Sequence, residues 1–124
     1  MILLDSNTLI YLSKGLLNID EVLPDNEVYA VSVVSYMEVM GYTFESSTEE
    51  TMVKKLFDYF TLLIIDSVIA NKVIELRKAY KIKLPDAIIC ATAIHYKAKL
   101  LTNDEKLQQI SELDIRIIKP QHAS

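Results

Sequence analysis

The chain has 124 residues, 51% of them apolar, and a formal net charge of −4; this suits one domain over residues 1–124 and leaves no room for a second. No apolar run approaches the roughly 20 residues of a membrane span, and no basic leader precedes an apolar stretch, so a cytoplasmic location is expected. The acidic balance argues against a simple basic nucleic-acid binder, and the single cysteine, Cys90, excludes an internal disulfide, while no Cys/His spacing suggests zinc.

Two glycines and three prolines leave the elements joined by short polar turns. Residues 2–4 read as a short buried strand. Residues 8–14 read as a helix stopped by Gly15. The turn signal Pro24-Asp25-Asn26 precedes a β-branched run over 28–34, a second strand. A helix over 35–40 should end at Gly41. Residues 48–59 carry Met52, Val53, Leu56, Phe57 and, just beyond, Phe60 at helical spacing, and 62–65 read as a strand. The next helix, 67–80, shows Val68, Ile69, Val73, Ile74 and Leu76 as its apolar side. Pro85 suits the first turn of a helix over 86–96; its body, 87–94, is apolar nearly all round and should be central. A strand at 100–101, a helix over 105–113 and a strand over 115–118 complete the chain. This alternation indicates an α/β fold with a mainly parallel sheet, whose ligands bind outside the strands' carboxyl ends.

Four acids far apart in sequence fall at element boundaries. Asp5 follows the first strand, and Glu38 lies in Ser35-Tyr36-Met37-Glu38. Asp86 follows Pro85, and Asp104 ends Thr102-Asn103-Asp104. Each has a plainer role as well. Asp5 and Asp104 are capable helix caps. Ser35-x-x-Glu38 matches a capping box. Asp86 suits the positive end of a helix dipole. Gathered at one crevice, the four charges coexist only with protons or cations among them, and a hard divalent cation with open positions is a tool for phosphoryl chemistry. Magnesium keeps several waters and needs one or two carboxylates, so Asp5 and Asp86 are candidates for direct ligands. Glu38 and Asp104 are candidates for binding through water, holding a second ion or positioning the attacking water.

Residues 72–99 hold seven basic and two acidic side chains against a net −9 elsewhere. Lys78, Lys81 and Lys83 precede Asp86 and are candidates for presenting a local cationic strip to an anion. Tyr36, Tyr42, Phe44, Tyr59 and Tyr80 have two readings, base stacking or packing. Cys90 reads as inert core. His95, in an apolar helix, and His122, near the end of the chain, have no nucleophile beside them, which excludes a Ser/His or Cys/His hydrolase. An aspartyl-phosphate phosphatase built on Asp5 wants a second acid two residues on, where this chain has Asn7.

The segments LLDSN, S-x-x-E, LPDAIICATA and LLTND, in this order, resemble the PIN domain family over essentially the whole chain, and within it the small VapC-type ribonuclease toxins; PDAIICATA is the most specific part. The resemblance implies a three-layer α/β/α fold around a mainly parallel sheet. It implies an endoribonuclease that uses magnesium or manganese to cleave RNA phosphodiesters with activated water. Asp5, Glu38, Asp86 and Asp104 match its acidic positions; Ser6 or Asn7 matches its orienting polar residues, with Asn103 as a possible outer partner of Asp104. A homodimer and a cognate antitoxin are further implications. The alternative is a catalytically weak PIN-like module for RNA binding or dimerisation. One departure stands out: where the family often places a further Asp and an aromatic residue, this chain has Lys106 and Leu107.

Overall fold

Short apolar runs with two faces to bury favour a parallel sheet covered on both sides. In the computed structural model, which describes residues 1–24 and 26–121, five such runs form one all-parallel sheet. They are β1 (Ile2–Leu4), β2 (Tyr29–Ser32), β3 (Thr61–Leu63), β4 (Lys99–Thr102) and β5 (Ile115–Ile117), in the order β3-β2-β1-β4-β5. Six helices connect them: α1 (Ser6–Ser13), α2 (Ile19–Val22), α3 (Val33–Met40), α4 (Ser47–Phe57), α5 (Ser67–Ala79) and α6 (Leu84–Tyr96). A 3-10 helix spans Glu105–Gln109. Asp25 of the expected turn, and His122, lie outside the described residues. No described helix is long and apolar enough to cross a membrane.

The two-residue period of the strands builds the three layers. Leu3, Ala30 and Leu100 face Ile69, Val73 and Leu76 of α5, with Ala87 and Cys90 of α6. Their sequence neighbours Leu4, Val31 and Leu101 face the other way, onto Leu9 and Leu12 of α1, Val39 of α3 and Val53 of α4. Leu4 pairs with Val31 on one side and Leu101 on the other. All strands run one way, so Leu4, Ser32 and Thr102 end at a common edge. The chain leaves β1 and β4 at the point where the strand order reverses, the usual ligand position in such sheets.

Several expected boundaries move. The second strand ends at Ser32, because the Ser32 side chain caps α3 by accepting from the Val34 N–H at 3.2 Å. Val33 and Val34 therefore open a helix despite their β-branching, and Ser35 is not a cap. The helix expected over 105–113 is a five-residue 3-10 turn. Leu107, Ile110 and Leu113 are all buried, and their spacing of three suits three residues per turn. The apolar side of α5 is narrower than expected: Val68 and Ile74 are 56% and 53% exposed, while Ile69, Val73 and Leu76 are buried. The four-residue α2 was not anticipated. The predicted helix stops hold for different reasons. Gly15 adopts φ +70, which favours glycine. A Cβ on Gly41 would lie 2.8 Å from the Met37 carbonyl oxygen.

Candidate active site

Asp5 stands at the junction of β1 and α1, 8% exposed. Its own side chain caps α1, so Ser6 is already helical and none of the following polar residues is needed as the cap. Oδ1 accepts from the Thr8 N–H at 2.9 Å and the Thr8 hydroxyl at 2.6 Å. Oδ2 accepts from the Thr102 hydroxyl at 2.5 Å. Thr102 is thus tied to Asp5 and also accepts from the Asp104 N–H at 3.1 Å. Burial pushes the Asp5 carboxyl above the ordinary 3.8, against the opposing pull of the Thr102 and Thr8 hydrogen bonds, and the charge of Asp104 adds to the rise. Oδ1 has two donors and Oδ2 one, which leaves Oδ2 a free lone pair.

Asp86 occupies the first turn of α6, behind Leu84 and Pro85; the cap position, Lys83, makes no side-chain capping bond. It follows the α5–α6 connection rather than a strand, so one of the four acids does not come from a βα junction. Asp86 is half-buried, and its carboxylate accepts no hydrogen bond from the described residues. Burial first, then the charges of Asp104, Asp5 and Glu38, raise its pKa above 3.8, with Lys83 opposing. Three acids from other elements are therefore near enough for their charges to act on this one.

Glu38 lies in the second turn of α3, not in a capping box. It is exposed, and its Oε1 accepts from the Ser6 hydroxyl at 2.7 Å. Asp104 caps the 3-10 helix, accepting from the Lys106 N–H at 3.0 Å. Ser6 therefore donates a hydrogen bond to one of the four acids. Asn7 is exposed and bonds to none of them, and Asn103 instead donates to the Tyr11 hydroxyl at 3.0 Å. The residues that sequence reasoning missed are Thr8 and Thr102, both fully buried. The available signals were the Asp-x-x-Thr spacing at the start of α1 and the threonine that closes the LLT run. Ser35 is also fully buried, and its Oγ is the one buried side-chain polar atom without a hydrogen-bond partner among the described residues.

A cavity of about 180 Å³ opens beside Asp86 and Asp104, bordered also by Lys81, Lys83, Lys106 and Gln109. Lys78 is not part of its wall, and Lys72 is bound to Glu112 at 2.7 Å. A larger cavity of about 480 Å³, near Leu17, Glu21 and Arg116, touches none of the four acids. Among the aromatic candidates, Tyr36 packs edge-on against Phe57 and Tyr42 against Phe44. Tyr80 packs on the core, while Tyr59 is exposed. His95 lies in the last turn of α6, as expected, and is exposed, edge-on to Tyr96. The Cys90 thiol is pushed up to about 12 by burial and by the charges of Asp86, Asp104 and Asp5, which makes it inert.

The donor set fits a hard divalent cation. It is all oxygen; Asp86 has both carboxylate oxygens without donors, and Asp5 keeps one lone pair. Among the described residues no three of His, Cys, Asp and Glu converge into a closed ligand set. Magnesium, held by one or two carboxylates and several waters, does not require one.

The PIN domain family profile matches residues 2–113. The chain belongs to the PIN domain family. Several solved structures are similar to this PIN domain. VapBC2 from Rickettsia felis, bound to a promoter DNA fragment, gives a TM-score of 0.83 at 19% identity, over 96% of this chain and 100% of that one. A toxin–antitoxin complex from Klebsiella pneumoniae gives 0.78 at 31% identity, over 91% and 95%. VapBC-1 from nontypeable Haemophilus influenzae gives 0.78 at 24% identity, over 94% and 98%. No curated protein gives a significant match.

Proposed function

We propose that this PIN domain, working as one unit over residues 1–124, is a magnesium- or manganese-dependent endoribonuclease. The observation that carries the reading is Asp86: a half-buried carboxylate with no hydrogen-bond donor, facing the charges of three other acids. Such a group needs a cation or a proton, and at neutral pH a cation is the stronger remedy.

Asp86 and Asp5 would hold the ion, with Thr8 and Thr102 fixing the Asp5 carboxylate. When bound, the cation lowers the pKa of the attacking water and offsets charge on the phosphoryl oxygens. Glu38, steered by Ser6, and Asp104, fixed by the Lys106 N–H, orient the attacking water and take up its proton. Lys81 and Lys83 hold the RNA backbone beside Asp86. The test is cleavage of single-stranded RNA in magnesium, lost in Asp86→Asn and in EDTA. Activity that survives both would sink the reading.

The likeness to the Klebsiella complex supports a toxin held in check by a cognate antitoxin in the cytoplasm. Expression alone should arrest growth, and Asp86→Asn should abolish the arrest. The exposed apolar side chains Tyr36, Met37 and Tyr42 support a homodimer contact. That no three acids form a closed set among the described residues favours the second reading, a catalytically weak RNA-binding or dimerisation module; RNA binding without cleavage would select it.

A further inference from the structure

The cavity beside Asp86 and Asp104 has an uneven charge. Its wall carries three lysines, Lys81, Lys83 and Lys106, against two acids. None of the three ammonium groups forms an ion pair with a described carboxylate, whereas Lys72, nearby in sequence, is paired with both Glu75 and Glu112. The lysines come from two different elements, the α5–α6 connection and the 3-10 helix. Elsewhere around the rim, Asp5 and Glu38 bring only negative charge. A polyanion approaching Asp86 and Asp104 from this side therefore meets a net positive wall.

Lys106 is held in place without using its side chain. Its backbone N–H donates to Asp104 Oδ1 at 3.0 Å, so the capping bond fixes the backbone while the ammonium stays free. Any residue but proline could give Asp104 that N–H, so the capping bond does not call for a lysine.

We propose that Lys106 is a phosphate-holding residue, which together with Lys81 and Lys83 seats a backbone phosphate of single-stranded RNA in this cavity, next to the bond that is cut. The assignment rests on the endoribonuclease reading and adds to it a residue at which this chain departs from the pattern of acids. Because a backbone phosphate carries no base identity, the contact strengthens binding uniformly across RNA sequences. Lys106 is a positioning residue, since it touches the substrate's flank and not the reacting atoms.

The test uses the full chain carrying Asp86→Asn, which holds RNA uncut, and a fluorescent single-stranded RNA titrated in magnesium at several KCl concentrations. Adding Lys106→Ala should weaken binding several-fold and lower the slope of log K against log[salt] by about 0.7, the loss of one phosphate contact on a single strand. Lys106→Arg should restore the slope, and Lys55→Ala, on α4 away from the cavity, should leave it unchanged. A purely structural role for Lys106 would lower the melting temperature without moving the slope. If the parent variant binds RNA and Lys106→Ala binds it equally well with the same slope, the Lys106 assignment is wrong and the nuclease reading stands. If the parent binds no RNA at low salt, both are wrong. Binding of poly-glutamate that depends on Lys106 while RNA binding does not would assign the cavity to an acidic peptide and overturn the proposal.

Discussion

The Thr102 hydroxyl donates to Asp5 Oδ2 at 2.5 Å, joining residues 97 positions apart. It ties the end of β4 to the end of β1, and with Thr8 it leaves the buried carboxylate one orientation. Thr102→Val keeps the shape and removes the donor. The expected loss is about 1–3 kcal/mol, because a buried acceptor is left with one partner fewer, and the Asp5 pKa rises further. Urea denaturation reads the first effect. An unchanged midpoint would show that the bond contributes nothing to the fold.

The pH dependence of the metal-free protein follows from Asp5 and Asp86, both raised above 3.8 by burial and by neighbouring acids. The folded state binds these protons more tightly than the unfolded chain does. Their contribution to stability is therefore complete below 3.8 and is lost as pH rises through the two raised values. In EDTA, the melting temperature should fall across that window, and Asp86→Asn should flatten the fall. A melting temperature that rises through the same window would contradict the assigned direction.

Divalent cation should oppose this loss. At neutral pH, magnesium or manganese at 100 times its Kd should stabilise the wild type by about 2.7 kcal/mol. Asp86→Asn and Asp5→Asn should gain far less, and the metal affinity of the wild type should rise with pH as protons stop competing. Equal stabilisation of all three proteins, read by thermal melts, would remove the cation from this rim.

Ser6 and Glu38 form an exposed pair at 2.7 Å, so Ser6→Ala should change stability by no more than about 0.5 kcal/mol. Its effect should appear in turnover: kcat on RNA falls by about tenfold to hundredfold as Glu38 loses its orientation, with KM nearly constant. A matching loss in Asp86→Asn protein binding RNA, rather than in kcat, would move Ser6 to the substrate contacts.

Ser35 gives the opposite expectation from Thr8, although both are fully buried. The Ser35 hydroxyl has no hydrogen-bond partner among the described residues, so Ser35→Ala should leave stability unchanged or raise it by about 1 kcal/mol. Thr8→Val removes a hydrogen bond to Asp5 and should lower it. Denaturation midpoints that rank the two variants the other way round would show that Ser35 has a partner in solution.

The parts of the fold that were legible before any coordinates were those in which local pattern and tertiary demand agree. The apolar runs at β1 and β4, the Pro85 that opens α6 and the apolar girth of that helix all point to one arrangement. The start of α3 was misread because VSVVSYME contains two serines, each with a capping signature. Local grammar favoured Ser35, through Glu38 three residues on. Ser32 won because it pairs with Leu63 of β3 at the end of the sheet, and strand pairing is not visible in a single segment. Asp5 and Asp104 were legible because each follows an apolar strand, and Asp86 because Pro85 marks the start of its helix. Thr8 and Thr102 were not, because what makes them matter is a contact across the sheet, and threonine in isolation looks like an ordinary turn or strand residue.

The order β3-β2-β1-β4-β5 has a consequence during synthesis. Of these five strands the first in chain order lies at the centre, and one of its two neighbours is the fourth. A growing polypeptide that has left the ribosome only as far as α6 has Asp5, Glu38 and Asp86, but neither Thr102 to lock the first of them nor Asp104 to join the others. Its β1 edge is then bare on one side, so until β4 has been made the central strand is open to pairing with another chain and the acidic rim lacks its last member.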